Sequence, residues 1–75
     1  MNFKIKQQIK DAAQYTYGLA NVLKYDADVL RKDANKFDPY KMKESVVEIN
    51  KTLYKLHMMI DEFETILNLD KNERP

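Results

Sequence analysis

A chain of 75 residues allows one small domain, and at that size folding buries only about 60% of the exposable surface, so a further staple is needed. With no cysteine and one histidine, that staple is neither a disulfide nor a cysteine- or histidine-built metal site. Thirteen Lys and Arg against twelve Asp and Glu leave a net charge of +1, which predicts no general attraction to nucleic acid.

The composition is that of a helical, folded chain: 44% apolar, 33% charged, one glycine and two prolines. In the first half Ile5, Ile9, Ala12, Thr16, Leu19, Leu23, Leu30 and Phe37 follow at steps of three, four and seven. That spacing marks one helical face, interrupted by Asp26 and Asp33. Beside it Ala13, Ala20, Ala27 and Ala34 recur every seven residues. On a straight helix the later alanines are expected to drift towards the stripe centre as the aspartates leave it. Gly18 costs roughly 1 kcal/mol against Ala, but the pattern keeps its phase across it, so one helix over about 3–36 is predicted.

The chain then turns at Phe37-Asp38. Asp38 suits an N-cap, and Pro39 suits the first helical position, where its missing N–H costs nothing. In the second half Met42, Val46, Ile49, Leu53, Leu56, Ile60, Phe63 and Leu67 alternate steps of four and three, predicting a helix over about 39–68. Two long helices with so short a connection must lie antiparallel. Charge agrees: Lys4, Lys6 and Lys10 oppose the dipole at the start of the first helix, and Asp61, Glu62, Glu64 and Asp70 oppose it at the end of the second. A hairpin brings these two ends together. The expected unit is therefore an all-α helical hairpin over residues 1–70, with a frayed tail over 71–75.

One hairpin leaves apolar side chains without cover. Tyr15, Val22 and Val29 flank the first stripe, and Met59 and Ile66 are expected to flank the second. Each contributes roughly 1.5–3 kcal/mol when fully buried, a large sum for a chain whose total stability is near ~5 kcal/mol. Together with the alanine column Ala13, Ala20, Ala27 and Ala34, which lets helices approach closely, they are the expected interface of a homodimer or larger coiled-coil-like oligomer, a four-helix bundle above all. In outline this resembles the Rop-type dimers of helical hairpins, without a shared motif. The signature of the helical-hairpin phosphatases of sporulation, Ser-Gln-x-x-Asp, is absent: Val46 follows Ser45, and Ile49 stands at the acid position.

Residue types suited to turnover are sparse. His57 lacks the Lys-Gly that follows a phosphotransfer histidine, and it reads as a bundle-edge residue. Asp26, Asp28, Asp33, Asn35 and Asp38 fail the spacing of a calcium loop, since Leu30 and Phe37 fall at ligand positions, and they read as solvated helix charges. Asp61, Glu62 and Glu64 lack the Glu-x-x-His of a carboxylate-bridged metal site. No metal, no cofactor and no catalytic residue is expected. No apolar run nears ~20 residues and the N-terminus has no signal-peptide core, so no membrane role is expected and the cytoplasm is the expected compartment.

Two surfaces remain as partner sites. An outer stripe of Val47, Tyr54 and Met58, with Lys51 among them, lies about 150° from the second helix's core stripe, and Tyr17 and Tyr25 face outwards on the first. Around the turn, Arg31, Lys32, Lys36, Lys41 and Lys43 gather with Tyr40, a mixture suited to a phosphate backbone and exposed bases. The expected function is that of a small non-enzymatic regulator or inhibitor, of the kind carried by phages or plasmids, acting stoichiometrically on a protein partner through the outer stripe. The alternatives are a Rop-like nucleic-acid binder using the basic turn, and a structural subunit of a helical assembly.

Overall fold

In the computed structural model, which describes residues 3–68, the chain forms two helices: α1 over Phe3–Asn35 and α2 over Pro39–Ile66. They pack side by side as a helical hairpin measuring 52 × 26 × 15 Å. The radius of gyration of 16.2 Å far exceeds the value of about 11 Å expected for a compact domain of this length. The molecule is a plank one helix thick. Helix α1 runs unbroken through Gly18, at which an added Cβ would meet no atom within 4 Å.

The turn is built from backbone rather than from side-chain packing. Asp38 N donates to Asp33 O (3.1 Å) and Phe37 N donates to Ala34 O (3.1 Å), the two reversed bonds of a Schellman ending. This ending requires a left-handed residue, and Phe37 supplies it at φ 53° where glycine would be unstrained. Asp38 then begins α2. Its carboxylate accepts from Lys41 N at 3.2 Å, and Pro39 occupies the first turn. The predicted cap and proline therefore hold, while α1 ends one residue before the expected position and the connection is the three residues Lys36, Phe37 and Asp38. Phe37 itself does not belong to the α1 core stripe: it is 88% exposed, thrown outwards by its left-handed backbone.

The seam between the helices differs from the predicted stripes in a systematic way. Among the described residues its buried apolar side chains are Ala12, Leu19 and Met59, with Leu56 and Phe63 packed against them. The other buried residues are polar: Thr52 at mid-length, level with Leu19, and Ser45 and Asp33 towards the turn. Met59, expected on a free flank of α2, lies in the hairpin's own core. Val46, Leu53, Ile60 and Leu67, expected in that core, are all exposed on the flank, Leu53 at 41%. In α2 the column facing α1 is Ser45–Thr52–Met59, bordered by the half-buried Met42, Ile49, Leu56 and Phe63. Half of the four-three pattern thus points at α1 and half points past it.

The α1 aspartates behave likewise. Asp33 is buried and Asp26 half-buried, whereas Ala27 is exposed, so the aspartates stay in the seam and the alanine column stays beside it. Asp33 is accordingly not a solvated charge. Short side chains at these positions let the helices come close. The Thr16 hydroxyl donates to Ala12 O (2.8 Å) and that of Thr52 to Glu48 O (3.2 Å), so these polar groups are satisfied within their own helices.

Candidate functional site

The hairpin offers two edges and two faces. One wide face carries, at the open end, a cleft of about 710 Å³ lined by both helices, including Lys4, Asp11 and Tyr15 of α1 and Met59 and Glu62 of α2. Lys4 and Glu62 thus line one cleft, as the hairpin's charge pattern predicted. Tyr15 and Val22 are exposed on this side of α1, and Val29 is half-buried. Helical phase places Ala13, Ala20 and Ala27 on the opposite flank of α1. The expected oligomer interface therefore divides: its aromatic and valine members and its alanine members lie on opposite sides of the plank, and Ala34 and Ile66 are half-buried near its two ends.

Along the outer edge of α2 runs the aromatic stripe. Val47, Lys51 and Tyr54 line one shallow depression with Asn50 and Lys55. Tyr40, Lys43 and Val47 line its continuation towards the turn with Glu44 and Glu48. Tyr40, Val47 and Tyr54 are spaced by seven, and Met58 follows one turn later; all four are exposed, Tyr54 at 68%. Tyr40, read from the sequence as part of the basic turn, therefore belongs equally to this stripe. The heptad step from Tyr40 to Val47 is the signal that finds it. Lys51 is tied along the same edge to Glu48 at 3.2 Å.

Tyr17 and Tyr25 are also exposed, but on the outer edge of α1, the far side of the plank. There Tyr25 borders a separate depression with Asn21, Lys24, Ala27, Asp28 and Arg31. The six residues expected to form one protein-docking set thus form two, and α2 holds the longer continuous one.

The basic turn is less free than its composition suggests. Asp28, one turn before it, binds Arg31 at 2.8 Å and Lys32 at 3.3 Å. Hydrogen bonds from Arg31 and then Lys32 hold the Asp28 carboxyl below its ordinary value of 3.8. Two of the five cations are therefore already engaged by a carboxylate. Lys36, Lys41 and Lys43 are exposed around the left-handed Phe37.

His57 is exposed on the flank shared with Leu53 and Ile60. Among the described residues no group of three or more His, Asp or Glu side chains is placed to hold a metal ion. No helix among them is long and apolar enough to cross a membrane. The expected frayed tail, residues 71–75, lies outside the described residues. Compared with protein-family models, with curated proteins and with solved structures, the chain gave no match.

Proposed function

We propose that the chain is a non-enzymatic binding protein that acts stoichiometrically on a protein partner through the outer edge of α2. The observation that carries this reading is the exposed line Tyr40, Val47, Tyr54 and Met58, which runs along about the first two thirds of α2 and takes no part in the seam. Tyrosine offers a large contact area at low entropic cost, and methionine adapts to an irregular surface, so the two suit a protein surface better than a phosphate backbone. The charged residues beside the line, Lys51 and Glu48 among them, form a polar rim of both signs. A strongly basic rim would be wanted for nucleic acid, and the pairing of Arg31 and Lys32 with Asp28 favours the protein reading further.

The test is a photo-crosslinking residue at position 54 in the full chain, with position 17 on the other edge as control. Cross-linking in a host lysate should give one dominant protein adduct from position 54 that survives nuclease. Tyr54→Asp with Met58→Asp should abolish partner recovery while far-UV dichroism stays unchanged. Adducts that vanish with nuclease, or equal adducts from both edges, would sink the reading.

A further inference from the structure

The face opposite the Lys4–Glu62 cleft carries exposed apolar side chains from both helices, and neither the seam nor the Tyr54 edge uses it. Because Asp11 and Tyr15 of α1 share the cleft side with Glu62 of α2, helical phase sends their counterparts to the other side together. Those counterparts are the alanine column Ala13, Ala20 and Ala27 on α1 and the column Val46, Leu53 and Ile60 on α2. All six are exposed. Between them lie the half-buried Ile9, Leu23, Ile49 and Leu56, so the apolar surface is continuous across both helices.

We infer that a second copy of this chain covers that face, giving a two-fold dimer in which four helices enclose one core. Three observations name this occupant. The first is area. The chain exposes 6327 Å², whereas a folded monomer of its mass exposes about 4,800 Å² by the usual surface-to-mass scaling. The excess, a property of the whole flat molecule, is about twice what each partner gives to a standard interface, so a dimer contact does not lack for area.

The second is register. Counting outwards from the turn puts Ala27 level with Val46, Ala20 with Leu53 and Ala13 with Ile60, each within a residue. A two-fold axis at the height of Ala20 and Leu53 therefore returns each layer of this face onto another layer. Every layer holds a small residue beside a large one. Two copies bring two small and two large side chains into each layer, the volume alternation that fills a four-helix core. A self-complementary surface of this kind is what an isologous contact requires.

The third is the seam itself. Among the described residues it buries only Ala12, Leu19 and Met59 of the apolar side chains, and it leaves half of the α2 pattern outside. A second copy completes the burial of Leu23, Ile49 and Leu56 in the same step. The rim of the face is mostly polar, with Lys6, Lys24 and Arg31 beside Tyr17 along α1 and Asn50 and His57 along α2. An apolar centre within a polar rim is the usual anatomy of an interface.

The experiment uses the absence of native cysteine. Leu53→Cys and Val22→Cys are mild replacements at exposed positions on the two opposite faces. Sedimentation of the unaltered chain at micromolar concentration should give a dimer. Thiol labelling of Leu53→Cys should be slower than that of Val22→Cys by roughly tenfold or more, with the difference shrinking on dilution as the dimer dissociates. Three results would overturn the inference. They are a monomer at all concentrations, equal labelling at the two positions (whether fast or slow), and protection of Val22→Cys in place of Leu53→Cys.

Discussion

In the half of the hairpin away from the turn Ala12 and Met59 are buried against Leu56 and Phe63, at mid-length Leu19 lies level with Thr52, and towards the turn the buried side chains are Asp33 and Ser45. The open end is held by apolar area removed from water. The turn end has little such area and is held by backbone: two reversed hydrogen bonds end α1, and a carboxylate cap starts α2. The contrast follows from chain connectivity. Near the turn only a three-residue connection need be closed, so a few local hydrogen bonds fix the geometry and short polar residues suffice. Far from it nothing local holds the helices together, and large side chains must.

The strongest way to break this comparison is at the inner edge of the apolar part of the seam. Leu19 is 7% exposed, and Leu19→Ala should cost about 2–4 kcal/mol. That is a large part of a small domain's stability, so urea unfolding followed by dichroism should show a collapsed or vanished transition. A cost near zero would mean that the apolar cluster is not where the stability resides. At the turn end Asp38→Ala removes the acceptor for Lys41 N and should cost about 1 kcal/mol by the same measurement. The opposite sign is expected for Phe37→Gly. It relieves a left-handed backbone while giving up almost no buried area, for a gain of about 1 kcal/mol or somewhat less. A loss of stability there would reveal a packing role for the ring.

The smallest effect concerns Asp28, which borders the turn end. Its carboxyl is held below 3.8 by Arg31 and then Lys32, so its pairing contributes fully above the ordinary carboxylate range and is lost as pH falls through the lowered value. Both groups are exposed, so NMR titration rather than unfolding is the measurement. The Asp28 midpoint should lie below 3.8 and return towards it in Arg31→Ala.

How far these features could be read in advance depends on whether their cause is local. Asp38-Pro39 announced both the turn and the start of α2, because capping chemistry is carried by the residues that form it. The continuity of α1 through Gly18 was legible for the same reason. The facing of α2 was not. Alternating steps of four and three mark an arc that prefers to leave water, and they do not say how many neighbours share that arc. Met42, Ile49, Leu56 and Phe63 meet α1; Val46, Leu53, Ile60 and Leu67 carry the same signal and do not. Ser45 and Thr52 escaped notice because their advantage in the seam is shortness, and the Thr52 hydroxyl is satisfied one turn back along its own helix. The outer stripe was legible as a period but not as an edge. Only the placement of the helices separates Tyr17 and Tyr25 from Val47, Tyr54 and Met58.

Pro39 has a consequence that reaches past the turn. Hairpins with very short connections can open like a clasp knife and exchange arms with a neighbour, the two helices merging into one rod. A merged rod would need residue 39 to donate its N–H to the carbonyl of Asn35. Proline has no such hydrogen, and its ring collides with that carbonyl, at a cost of about 3 kcal/mol. The residue that starts α2 thereby also disfavours arm exchange, and it biases any association of this chain towards closed hairpins meeting face to face.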